Sequence, residues 1–87
     1  MENEIKERLL KVIEDLDLTF PQLERRTGLK AMSWRNLKNT PTRANEEHIS
    51  GIIKIKPEYA YWIATGLTLP QAGQISPDLE KTRQKLG

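Results

Sequence analysis

Apolar residues recur along this chain at intervals of three and four, punctuated by glycine, proline and capping residues, and that pattern predicts helices throughout. Ile5, Leu9, Val12, Ile13 and Leu16 share one face of a first helix over residues 2 to 16, with charged residues on the remaining face. Next, Thr19 and Gln22 have the spacing of a capping box, Leu18 and Leu23 flank the cap as a hydrophobic staple, and Pro21 lies in the first turn, where a missing N–H is harmless. A second helix therefore runs to about Thr27. Gly28 permits a left-handed turn, and a third helix follows from about Ala31 to Asn39. In it Trp34 and Leu37 face inward and close a small core with Leu23 and Leu29. The other face then carries Lys30, Ala31, Met32, Ser33, Arg35, Asn36, Lys38 and Asn39.

Pro41 breaks the helix in a turn over residues 39 to 43, and Asn45 caps a fourth helix with Glu46 and Glu47 in its first turn. Ile49, Ile52 and Ile53 form its buried stripe. Gly51 within it reads as a place where another backbone comes close, and His48 as a polar surface residue. Pro57 starts a fifth helix with Tyr59, Trp62 and Ile63 inward, and Gly66 ends it. Residues 67 to 75 read as a loop, after which Ser76, Pro77 and Asp78 start a last helix over 77 to 86. The expected fold class is all-α. It is a compact bundle of about five helices over residues 1 to 66, with a C-terminal extension and tail helix over residues 67 to 87.

A chain of 87 residues with no cysteine and a single histidine has a thin core, no disulfide framework and no zinc-ligand spacing. It has no Ser/His/Asp set, paired catalytic carboxylates or phosphate-binding loop, so neither an enzyme nor a cofactor is expected. The N-terminus does not read as a signal peptide and no stretch is long enough to span a bilayer, which points to a cytoplasmic protein without a membrane partner. The net charge of +2 is unevenly spread. Residues 18 to 44 hold Arg25, Arg26, Lys30, Arg35, Lys38 and Arg43 against Glu24 alone, a local +5 that attracts polyanions.

The paired helices over residues 19 to 39 resemble the helix-turn-helix of the lambda-repressor-like (Xre-type) family of bacterial and phage regulators. Leu23, Gly28, Leu29, Trp34 and Leu37 stand where that family has its apolar residues and turn glycine, while Glu24 and Lys30 depart from the usual alanine and Ser or Thr. Ala-Asn-Glu-Glu-His-Ile at 44 to 49, Pro-Glu-Tyr-Ala-Tyr-Trp-Ile-Ala-Thr-Gly at 57 to 66 and Gly-Gln-Ile-Ser-Pro at 73 to 77 also look like small prophage-encoded DNA-binding proteins. The resemblance implies a regulator, expected to be a repressor, that docks its third helix in the major groove of double-stranded DNA. By position in the motif, Lys30, Ala31, Met32, Ser33, Arg35 and Asn36 face the bases, and Thr19, Gln22, Lys38, Asn39 and Arg43 the phosphates. A two-fold operator calls for a homodimer, and Leu67, Leu69, Ile75 and Leu79, without an obvious partner inside so small a domain, are the expected interface. The alternative is an antitoxin or antirepressor module that uses the same helices to bind a protein.

Overall fold

A computed structural model describes residues 4 to 86. These residues form six α-helices: α1 (Glu4–Leu16), α2 (Phe20–Thr27), α3 (Ala31–Asn39), α4 (Glu46–Ile55), α5 (Ala60–Thr65) and α6 (Pro77–Leu86). Short 3-10 turns at Pro57–Tyr59 and Pro70–Ala72 lead into α5 and follow it. The all-α bundle matches expectation, and α2 and α3 have the predicted bounds. Residues 2 and 3 of the expected first helix lie outside the described residues.

Local chemistry accounts for these boundaries. The Thr19 hydroxyl oxygen accepts the Gln22 N–H at 3.2 Å, and the Gln22 carboxamide oxygen accepts the Thr19 N–H at 2.8 Å. Both are donors that α2 itself leaves unmet. Gly28 ends α2 at φ 84°, a left-handed conformation that a side chain resists. Lys30 makes no side-chain cap for α3. Glu24 supplies one instead, its Oε1 accepting the Ala31 N–H at 2.8 Å. The family departures at Glu24 and Lys30 therefore compensate each other.

Leu9, Val12, Leu23, Trp34, Leu37, Ile52 and Ile63 are completely buried where α1, α2, α3, α4 and α5 meet. A half-buried polar side chain ties the helices together at this core. The Thr27 hydroxyl donates to the Leu23 carbonyl at 2.7 Å and accepts the Leu29 N–H and the Trp34 indole N–H at 3.2 Å each. Gly51 packs on top: a Cβ there would lie 3.1 Å from Thr27 Cβ and Cγ2 and 3.4 Å from Trp34 Cζ2. The neighbour that needs this glycine is thus a pair of side chains, not the backbone that was expected.

The tail corrects a larger expectation. Ile75 is 8% exposed, its N–H donates to the Glu58 carbonyl at 2.8 Å, and Leu79 is half-buried against the same core. Pro77 is completely buried. Ile75 and Leu79, expected at a dimer interface, have partners within their own chain, and Gln74 holds their segment against the start of α5: its Oε1 accepts the Tyr61 N–H at 2.9 Å and its Nε2 donates to the Pro57 carbonyl at 3.2 Å. Lys11–Asp78 and Asp15–Lys81 ion pairs, each 3.1 Å, join α6 to α1. Ile75, Leu79 and α6 are thus packed onto the helices that precede them. Leu67 and Leu69 stay exposed, at 61% and 38%. Among the described residues no helix is long and apolar enough to cross a membrane.

Candidate nucleic-acid interface

With Trp34 and Leu37 fully buried, helical periodicity turns Met32, Arg35, Asn36 and Asn39 to the opposite side of α3. All four are exposed, Met32 at 58%. Lys30 and Lys38 are also exposed, while Ala31 and Ser33 lie half-buried on the flanks. The outward face thus offers one thioether, one guanidinium and two carboxamides, flanked by two ammonium groups. The Arg35 guanidinium lies 5.9 Å from the centroid of the Phe20 ring, at the limit of a cation–π contact, which brings it toward the start of α2.

Ser33 has a different role from its neighbours. Its Oγ is 2.9 Å from His48 Nε2, so this candidate base contact links α3 to α4. His48 corrects the surface reading made of it. It is 2% exposed, its Nδ1 accepts the Asn45 N–H at 3.2 Å, and Asn45 Oδ1 accepts the His48 N–H at 2.9 Å. Because Nδ1 is an acceptor, the neutral ring carries its proton on Nε2 and donates it to Ser33. The ring also packs edge-on to Trp34, centroids 5.0 Å apart. Burial lowers the pKa of His48 below its ordinary value of 6.5, opposed by a hydrogen bond to the Ser33 backbone and by the nearby Glu47 carboxylate. Asn45 and His48 stand three apart, the spacing of a capping box, and that was the sequence signal for this contact.

The candidate phosphate contacts flank α3. The Thr19 and Gln22 side-chain oxygens are occupied in the cap, which leaves the Thr19 hydroxyl proton and the Gln22 carboxamide N–H groups for an outside acceptor. Lys38, Asn39 and Arg43 are exposed at and beyond the end of α3. The turn between them is held from behind: Lys6 Nζ donates to the Thr40 and Thr42 carbonyls at 2.8 and 2.7 Å. Thr40 Oγ1 also donates to the Asn36 carbonyl at 2.6 Å, closing the last turn. Two groups of phosphate candidates are therefore placed by rigid caps and a tethered turn.

No protein-family model and no curated protein matches the sequence. Among solved structures, the chain is similar to Pf6r from the filamentous phage Pf6 of Pseudomonas aeruginosa PA01, with a TM-score of 0.84 and 25% sequence identity. The superposition covers 95% of this chain and 96% of Pf6r. A phage protein thus shares this fold over nearly its whole length.

Proposed function

We propose that this chain is a sequence-specific, double-stranded-DNA-binding regulator of phage or prophage origin, without enzymatic activity, acting in the cytoplasm of the bacterial host. The observation that carries this reading is the outward face of α3, where Met32, Arg35, Asn36 and Asn39 stand exposed in the most basic stretch of the chain. The full-length likeness to a phage protein supports it. In this reading α2 and α3 form a helix-turn-helix, and α3 enters the major groove. Asn36 pairs with adenine, Arg35 or Lys30 with guanine, and Met32 or Ala31 meets a thymine methyl. The two groups of phosphate candidates fix the register. The protein represses as a homodimer on a two-fold operator, with the exposed Leu67 and Leu69 as the apolar residues left for the interface.

Selection of bound sequences from a random duplex pool tests this, with a two-fold symmetric consensus expected. On the selected site, Asn36→Ala is expected to cost about 1 to 3 kcal/mol and relax one base-pair preference, and Lys38→Ala to weaken all duplexes evenly and flatten the salt dependence. No enrichment from the pool, or equal losses on cognate and random DNA for Asn36→Ala, would refute the orientation of α3.

A further inference from the structure

Between α1 and the start of α2 a cavity of about 430 Å³ opens to the surface, within the range of roughly 300 to 1,000 Å³ common for small-molecule sites. Leu10 and Ile13 of α1 and Leu18 and Phe20 beside the α2 cap form its apolar walls, and Thr19 and Lys38 are the polar residues of its lining. The charge in it is uncompensated. Among the described residues Lys38 has no ion-pair partner, and no acid is in the cavity lining. The Thr19 oxygen accepts the Gln22 N–H, and its hydroxyl proton remains to be donated.

These chemistries select one kind of occupant. A bare phosphate would satisfy Lys38 and Thr19 but leave the apolar walls wet, and a neutral hydrocarbon would cover the walls but leave the ammonium unpaired. We propose that this cavity is a binding site for a free apolar monocarboxylate, a fatty or aromatic acid, whose carboxylate pairs with Lys38 and accepts the Thr19 hydroxyl while its tail lies along Leu10, Ile13, Leu18 and Phe20. A consequence rests on the DNA-binding reading above. Thr19 and Lys38 are both phosphate candidates, so a bound acid competes with the duplex and acts as an inducer.

Decanoate, kept below its micelle-forming concentration, tests the site on the full chain in the absence of DNA, followed by calorimetry and amide NMR. One-to-one saturation is expected, with shifts concentrated at Leu10, Ile13 and Leu18 to Phe20. Lys38→Gln should weaken decanoate at least about tenfold and leave the affinity for 1-decanol unchanged. Equal binding of the acid and the alcohol by the wild type, an unchanged decanoate affinity in Lys38→Gln, or shifts centred on Leu67 and Leu69 would overturn the site. So would groove shifts that follow protein concentration and ignore decanoate, which would assign the cavity to a second copy of the chain. None of these readings needs DNA, so their failure is distinct from failure of the regulator reading. With duplex present, saturating decanoate should raise the apparent Kd of the wild type and not of Lys38→Gln; an unchanged wild-type Kd would overturn the competition.

Discussion

The unit formed by α2, α3 and α4 and the tail formed by α5 and α6 are both closed by polar contacts, but of different kinds. In the first, Thr27, Trp34, Ser33, His48 and Asn45 bond to one another or to backbone at the core, where a hydrogen bond left unmade is costly. In the second, Ile63, Ile75 and Pro77 are buried, but the side-chain links from α6 to α1 are largely at the surface. Lys11 and Asp78 are 42% and 72% exposed, and such pairs contribute about 0 to 1 kcal/mol. The stronger tie is the Tyr59 hydroxyl donating to Glu80, and burial together with that carboxylate raises the Tyr59 pKa and keeps the proton in place. The difference is one of place: the buried polar contacts lie beneath the outward face of α3.

The largest expected effect comes from the first unit. Trp34→Ala removes a completely buried side chain that touches Thr27, Gly51 and His48, and should cost roughly 3 to 5 kcal/mol in urea unfolding. A loss below about 1 kcal/mol would mean that the core is not organised on Trp34. Ile75→Ala in the tail should cost less, about 2 kcal/mol, since Ile75 sits at the core's edge at 8% exposure. Native-state hydrogen exchange sharpens the contrast. Amides of α6 should open at lower free energy than those of α3, and equal protection would erase the distinction between the two regions.

What was legible in the sequence follows the same division. Thr19, Gly28, Asn45 and Gly66 act within a few residues of themselves, so the bounds of α2 and α3 and the start of α4 could be read from local chemistry. The outward face of α3 followed from Trp34 and Leu37 through helical periodicity alone. Contacts that cross between elements were not legible. Glu24 reaches the Ala31 amide, His48 finds Ser33 fifteen residues away, and Ile75 returns to Glu58. Each needs the relative placement of helices, which no spacing encodes. The expectation that Ile75 and Leu79 lack partners within their own chain failed for that reason, since those partners lie across the fold.

Glu24 gives a smaller prediction that still separates the two regions. Glu24→Ala removes the carboxylate that accepts the Ala31 N–H and should cost about 1 kcal/mol, the usual loss of an N-terminal cap. Its effect should appear as faster exchange in the first turn of α3 and leave α6 unchanged. A loss spread evenly over both regions would show that the cap does not act locally.

The smallest effect expected is a dependence on pH through His48. Burial lowers its pKa, but the Ser33 backbone hydrogen bond and Glu47 work against burial, so the net shift is a difference of opposed contributions. The sign is nonetheless definite. With the folded pKa below the ordinary 6.5, the unfolded chain binds the proton more readily. The stabilisation is therefore fully present above about pH 6.5 and is lost as pH falls from there through the folded value. Protonation also puts a hydrogen on Nδ1, where the Asn45 N–H now donates, so the α4 cap should loosen while Nε2–H keeps its bond to Ser33. Urea midpoints measured from pH 7.5 down to about 5, above the ordinary range of carboxylates, should fall in the wild type and stay flatter in His48→Gln. Exchange in that window should quicken at Asn45 and His48 before it does in α6. A midpoint that rises on acidification, or a wild type and His48→Gln with the same slope, would show that the histidine is not held neutral between α3 and α4.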